Sequence, residues 1–305
     1  MTHDTSEPLL KRIKINTVAA PDIGEVEAWY TEWLGYSVCE RGKTSAALAD
    51  AWGAPAMGGR PQTVLRPESG DDVFIRICQI DPVAGYRPMN SLGWNAFELI
   101  VDDVYPLYEK LKGSPFGIIG TPASLGGELD FIHAMQVQGP AGDVLYLTCD
   151  RLRAADTLLP PPGAFVGRPF IAVLAAHGVD DIQRWYSETF RMQREADMRT
   201  AIGVVARAQG LPPEHCFDMG FMALGESGHF IEYDGYDPSI GARPANAEQL
   251  PPGCAMVSFA VDGIDDLDLD YLGPAVEDGS VVYGGGPCRT ARGPAGELIE
   301  LVSER

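Results

Sequence analysis

The sequence is poor in basic residues, paired cysteines and long apolar runs. Lys and Arg number 23 against 43 Asp and Glu, a formal charge of −20. Such a chain repels nucleic acid and anionic lipid, and no basic cluster offsets that. No window of 18 apolar residues occurs, so no membrane-spanning helix is expected. The six cysteines lie scattered with no C-x-x-C pair, which argues for reduced thiols and against a zinc ribbon or disulfide framework. MTHDTSEPLLKRIKIN has no apolar signal core, so secretion is not expected. P-loop, G-x-G-x-x-G and Ser-His-Asp patterns are absent. The expectation is a cytoplasmic protein acting on a small molecule, with no nucleic acid or membrane partner and a homodimer left open.

What is present is repetition. The 305 residues, 45% of them hydrophobic, can bury a large core and fill two domains. GPAGDVLYL at 139–147 returns as GPAGELIEL at 293–301, with Tyr146 in one copy and Glu300 in the other. Trp29 and Tyr30 return as Trp185 and Tyr186 at an offset of 156 residues. VFIRICQIDP and HFIEYDGYDP share that offset, which sets Arg76 against Glu232. An internal duplication explains these matches.

Each half divides again. Val26, Trp29, Tyr30 and Trp33 have the spacing of one helical face, as do Val104, Leu107, Tyr108 and Leu111. VSFAVDGIDDLDLDYLG predicts a third such strand and helix, weaker in helical character. Short Gly-punctuated strands follow, so the chain reads as an α+β protein of four βαβββ modules at about 5–80, 92–150, 165–237 and 253–305. Modules 1 and 2 are expected to form an N-terminal domain over 1–150 and modules 3 and 4 a C-terminal domain over 165–305. Each domain would have its own sheet, joined by the Pro/Gly-rich linker 151–164.

A strand, a turn, a helix ending in W-Y, then L-G-Y and a terminal G-E-L-I-E-L strand resemble the vicinal oxygen chelate superfamily. That group holds the glyoxalases, the bleomycin-resistance proteins and the extradiol dioxygenases. The resemblance implies two open, curved sheets, each wrapped around a small-molecule cleft. It also implies a divalent metal held by His, Gln or Glu on the first and last strands of paired modules. The matching positions are Ile15, Arg76, Ala96 and Tyr146 in the first half, and Ile171, Glu232, Met256 and Glu300 in the second. Asn16, Glu98 and Ser258 are the near alternatives in register. Arginine cannot ligate a cation, so a first-half metal is not expected.

In the second half Glu232 and Glu300 keep carboxylates while Ile171 and Met256 replace imidazoles. The two carboxylates are expected to face each other across a pocket walled by Ile171 and Met256. Three readings stay open for them: proton transfer by one protonated and one ionised member, inherited scaffold, or a weakly bound divalent cation on oxygen ligands. No other cofactor is expected. Tyr233, Tyr236 and Arg243 are candidates for steadying an oxyanion, and Arg76, Glu98 and Tyr146 for touching substrate. Among the histidines, His3 falls in a tail, His177 follows a strand, and His133 and His215 read as strand-edge or loop residues. Strand alternation turns His229 away from Glu232. The corresponding function is a lyase or isomerase moving protons on an aromatic or oxygenated metabolite. The alternatives are a drug- or metabolite-binding protein and, disfavoured by the missing imidazoles, an extradiol dioxygenase.

Overall fold

The computed structural model describes residues 7–153, 157, 159–264 and 267–304. His3 and linker residues 154–156 and 158 lie outside them. Module 1 comprises β1 (Arg12–Ala20), α1 (Ile23–Leu34), β2 (Ser37–Lys43), α2 (Ala46–Ala51), β3 (Pro61–Arg66) and β4 (Phe74–Gln79). Module 2 comprises β5 (Gly93–Val101), α3 (Val104–Leu111), β6 (Gly117–Ser124), β7 (Ile132–Gln138) and β8 (Val144–Asp150). Module 3 comprises β9 (Val166–Ala176), α4 (Val179–Phe190), β10 (Arg194–Ala201), α5 (Gly203–Ala208), β11 (Cys216–Ala223) and β12 (Phe230–Gly235). Module 4 comprises β13 (Gly253–Val261), β14 (Val276–Glu277), β15 (Pro287–Arg292) and β16 (Leu298–Ser303). The expected fourth long helix is not seen: among the described residues no helix stands between β13 and β14, and one 3-10 turn, Val281–Tyr283, stands between β14 and β15. The stretch after β13 carries five aspartates between 262 and 270, and aspartate has low helix propensity.

The helices form where the sequence caps them. Asp22 accepts from the Glu25 N–H at 3.0 Å to start α1, and Gly35 ends it at φ +76°. Asp103 does the same for α3 through the Tyr105 N–H at 2.9 Å. Val26 and Tyr30 of the expected α1 face are buried, while Trp29 and Trp33 are half-buried against the core.

The modules pair differently from the expectation. One eight-stranded sheet runs β14-β15-β16-β13-β1-β4-β3-β2 and holds modules 1 and 4. The other runs β10-β11-β12-β9-β5-β8-β7-β6 and holds modules 2 and 3. The domains are therefore not 1–150 and 165–305. Each sheet takes one module from each half, because the first strands pair antiparallel as β1 with β13 and β5 with β9. Local pattern fixes a strand's faces but not which of four similar edges it meets.

One core lies between the two sheets and collects Tyr30, Trp94, Phe97, Tyr186, Tyr233, Val257 and Phe259. Two smaller cores line the opposite faces, one per sheet. The repeated GPAG turns help tie the sheets together. Tyr30 of module 1 donates to Asp143 of module 2 at 2.6 Å, and Tyr186 of module 3 to Glu297 of module 4 at 3.1 Å. Each carboxylate also accepts from its own turn, from Ala141 N at 3.1 Å and from Ala295 N at 2.8 Å. Both turns need glycine. Gly142 and Gly296 sit at φ +72° and +83°, and a Cβ on Gly139 or Gly293 would stand 2.3 or 2.0 Å from that carboxylate. The recurrent W-Y dipeptides are thus core anchors, with the phenol as an inter-sheet strut.

Candidate functional site

Register defines four meeting positions on the outer face of each sheet. In the first sheet Thr17 lies beside Arg76, and Ser258 beside Glu300. In the second, Val173 lies beside Glu232, and Glu98 beside Tyr146. The first-strand residues at these positions are therefore Thr17, Glu98, Val173 and Ser258, two positions along from Ile15, Ala96, Ile171 and Met256. Arg76 and Glu232 hold the same place relative to their first strands, as do Tyr146 and Glu300 relative to theirs. Glu232 and Glu300, expected to face each other, stand in different sheets. Met256 lines the first cleft and Ile171 the second, so they do not wall one pocket.

The first cleft is filled by the protein itself. Arg76 Nη2 donates to Glu300 Oε2 at 2.9 Å, and Arg76 Nε and Nη2 reach Thr17 Oγ1 at 3.1 and 2.9 Å. Ser258 Oγ donates to Glu300 Oε2. Trp52 Nε1 and the Tyr283 hydroxyl donate to Glu300 Oε1 at 2.7 and 2.9 Å, and Tyr283 also accepts from Arg76. The guanidinium lies 4.5 Å from the Trp52 ring centroid. Burial, the largest single effect, would lower the Arg76 pKa, but the Glu300 charge together with Tyr283, Cys78 and the bond to Glu300 outweighs it, and the net shift is upward. Thr17, Arg76, Ser258 and Glu300 are each no more than 1% exposed. Arg76, Glu300, Ser258, Tyr283 and Trp52 satisfy one another, while Thr290 Oγ1 beside Glu300 has no partner.

The second cleft is built alike but lacks the groups that plug the first. Trp52 follows α2, where Trp52 N bonds Leu48 O and Gly53 N bonds Asp50 O; Gln209 follows α5 with the same bonds, to Val205 O and Arg207 O. Gln209 therefore stands where Trp52 does, but its amide donates to Met89 O at 3.0 Å. The 3-10 turn ending at Tyr283 has its counterpart in the turn Gly127–Leu129, which ends in Leu129, 39% exposed. Both plugs are missing. Glu98, Tyr146 and Glu232 keep 6–7% of their surface open.

Strand alternation adds two groups to this face. Asp234 follows Glu232 by two residues on β12, and Tyr236 by two more. The Asp234 oxygens and the Tyr146 and Tyr236 hydroxyls are buried without hydrogen-bond partners. The Asp234 charge bears on Glu232 across this face, and two carboxylates so placed disfavour each other's ionisation. Burial pushes Glu98 and Asp234 each up to about 7, and Glu232 is raised by burial and by the Asp234 and Glu98 charges. Phe217, Met219, Phe221, Phe230, Ile171 and Val173 supply the apolar surround. Asp234 neighbours Glu232 in the sequence but has no assigned role in the expected site, although i, i+2 spacing on a strand puts both on one face.

Two other candidates are not placed here. Tyr233 points into the inter-sheet core, 5.3 Å from the Tyr186 ring. Arg243 donates to Ser91 Oγ at 3.1 Å and to the carbonyls of Trp94 and Cys254, so it braces backbone instead of an oxyanion. No histidine among the described residues joins either cluster by a hydrogen bond. His133 meets Tyr105 at 2.9 Å, His177 meets Ile240 O at 2.8 Å, and His215 meets Phe217 edge to face. His229 contacts Arg168 at the seam, where burial and that charge push its pKa down to about 2.

Two surface clefts lie elsewhere. One of about 510 Å³ includes Lys11, which is paired with Asp262. The other, of about 260 Å³, includes Arg243 and Glu297, whose polar atoms are already spent on the bonds described.

Solved structures share this arrangement. Glyoxalase I from Zea mays is similar over 96% of this chain and 92% of its own, at 15% identity and a TM-score of 0.62. A putative dioxygenase from Bacillus subtilis subsp. subtilis str. 168 is similar over 98% of this chain and 86% of its own, at 10% identity and a TM-score of 0.61. The chain has the two-domain fold of the vicinal oxygen chelate superfamily. No protein-family model matches it, and no curated protein is similar to it in sequence.

The divalent metal implied by the superfamily does not fit these residues. In the first cleft a guanidinium holds one of the four positions. In the second the set is two carboxyls, a phenol and Val173, with no imidazole. Among the described residues no three His, Cys, Asp or Glu side chains stand together as ligands. The expected cation between Glu232 and Glu300 has no geometry, since the two residues belong to different sheets. No described helix is long and apolar enough to cross a membrane.

Proposed function

We propose that the second cleft is a small-molecule site whose chemistry is proton transfer on an aromatic or oxygenated substrate. The observation that carries this reading is the Glu232–Asp234 pair, with Glu98 and two unpaired phenols on the same buried face. Crowded carboxyls in an apolar setting hold a proton at neutral pH, leaving one acid and one base side by side. The ionised member removes a proton beside a carbonyl or from a phenol, and the protonated member returns it. The Tyr146 and Tyr236 hydroxyls, which have no protein acceptor, donate to the oxygen that becomes negative. Glyoxalase-like and dioxygenase-like neighbours are in keeping with a small-molecule enzyme, and lyase or isomerase chemistry needs no ligand set that this cleft lacks.

A second reading is retention without turnover, as in drug- or metabolite-binding proteins. It is favoured by the cover over the site, where Val205 and Ala206 of α5 are fully buried. Single-turnover and multiple-turnover assays on compounds that bind decide between the two. Under the first reading Glu232→Gln cuts turnover by roughly 100-fold while affinity changes little. Under the second no bound compound is converted.

A further inference from the structure

The second cleft gathers three carboxyls with no described cation paired to them. The titratable groups facing it are Glu98 from β5, Tyr146 from β8, and Glu232, Asp234 and Tyr236 on and after β12. The charges acting on Glu232 are those of Asp234 and Glu98, both of the same sign. Arg243, the cation that acts on Tyr236, is committed to backbone carbonyls. Arg207 on α5 donates to Ile119 O. In the first cleft the equivalent position carries its own cation, Arg76, bonded to Glu300, Thr17 and Tyr283.

A second observation is independent of the acids. The Tyr146 and Tyr236 hydroxyls, on residues 7% and 2% exposed, have no partner, and Tyr146 feels the charges of Asp234, Glu232 and Glu98 together. A buried phenol without a partner is unfavourable, so a ligand that supplies one is favoured. The surround of Phe217, Phe221, Phe230 and Ile171 suits an apolar or aromatic body, not a hydrated metal.

We propose that this cleft takes an organic cation, an ammonium group on an aromatic or other apolar body, with its nitrogen among Glu98, Glu232 and Asp234. The proposal rests on the reading of the second cleft as the small-molecule site, and it names the ligand class. The ammonium supplies the charge that Arg76 supplies in the first cleft. Its arrival favours the ionised carboxyls, so binding releases protons and strengthens as pH rises from about 6 to about 8.

The probes are phenethylamine, its neutral match 2-phenylethanol and the anionic 3-phenylpropionate, followed by calorimetry at millimolar concentration in two buffers of different protonation enthalpy. Phenethylamine is expected to bind at least about tenfold more tightly than either match, with proton release. Glu232→Gln and Asp234→Asn, each checked for unchanged folding, are expected to weaken it about tenfold or more. Equal or better binding of 2-phenylethanol or 3-phenylpropionate that the variants still weaken would overturn the cation but keep the cleft. Phenethylamine binding that neither variant weakens would overturn the cleft itself. No phenethylamine binding at that concentration overturns the cation.

Discussion

Arg76 and Glu300 form an ion pair of 2.9 Å in which neither side chain is more than 1% exposed. The guanidinium stands where the equivalent position of the other sheet carries Glu232, and its presence separates a sealed cleft from one with unpaired groups. A buried pair of this kind adds little over an apolar replacement, but a lone survivor is costly. Arg76→Met is therefore expected to destabilise the chain by about 3–5 kcal/mol in chemical denaturation. The double variant Arg76→Met with Glu300→Gln should recover a large part of that loss. A double variant no more stable than Arg76→Met would mean that the cluster holds the fold by packing, not by charge.

Trp52 is the second part of that seal. Trp52→Ala removes a fully buried indole and one of the donors to Glu300, for an expected loss of about 3–5 kcal/mol. Gln209→Ala, at the corresponding place beside the second cleft, should cost about 1 kcal/mol, since only one bond to Met89 O is lost. Equal losses at the two sites would deny that one cleft is plugged and the other is not.

The phenol struts are expected to act on both stability and titration. Tyr186→Phe leaves Glu297 buried with one donor fewer, costing about 1–3 kcal/mol. Burial already pushes Glu297 up to about 7, and the Tyr186 hydroxyl works against that shift. Its removal should move the Glu297 titration further upward in NMR. A Glu297 titration unmoved by Tyr186→Phe would show that the hydroxyl does not stabilise the ionised form.

Raised carboxyl pKa values carry a definite sign. Glu98, Asp234 and Glu297 bind protons more tightly folded than unfolded, so between about pH 4 and about pH 7 the native state holds more protons. Their contribution to stability is fully present below the unfolded pKa and is lost as pH rises through the folded value near 7. Asp234→Asn should flatten that decline and raise the melting temperature at pH 8 relative to the parent. A parent whose stability rises between pH 5 and pH 7, and by the same amount in Asp234→Asn, would contradict it.

Much of this was legible in the residues, for physical reasons. The W-Y helices, the GPAG turns and the 156-residue offset are local patterns that fix strand faces, and Arg76 and Glu232 do occupy the same register place. Module pairing was not legible, because four similar first strands carry no mark of which edge meets which. That one error placed Glu232 and Glu300 in one pocket. Tyr233 and Arg243 were misplaced for another reason. Closeness in sequence to Glu232 says little about face, and Tyr233 necessarily points the other way along a strand. The plugs Trp52 and Tyr283 come from segments without period or motif, and only tertiary contact reveals them.

The claim that the second cleft stores protons at neutral pH is tested most directly by carboxyl carbon-13 NMR on the ligand-free protein. Asp and Glu side-chain resonances would be followed across the range from about pH 4 to about pH 9 and assigned with Glu98→Gln, Glu232→Gln and Asp234→Asn. Titrations near pH 7 that disappear in Glu98→Gln and Asp234→Asn are the expected result. Resonances of Glu98, Glu232 and Asp234 that all titrate below about pH 5, as exposed carboxyls do, would contradict it.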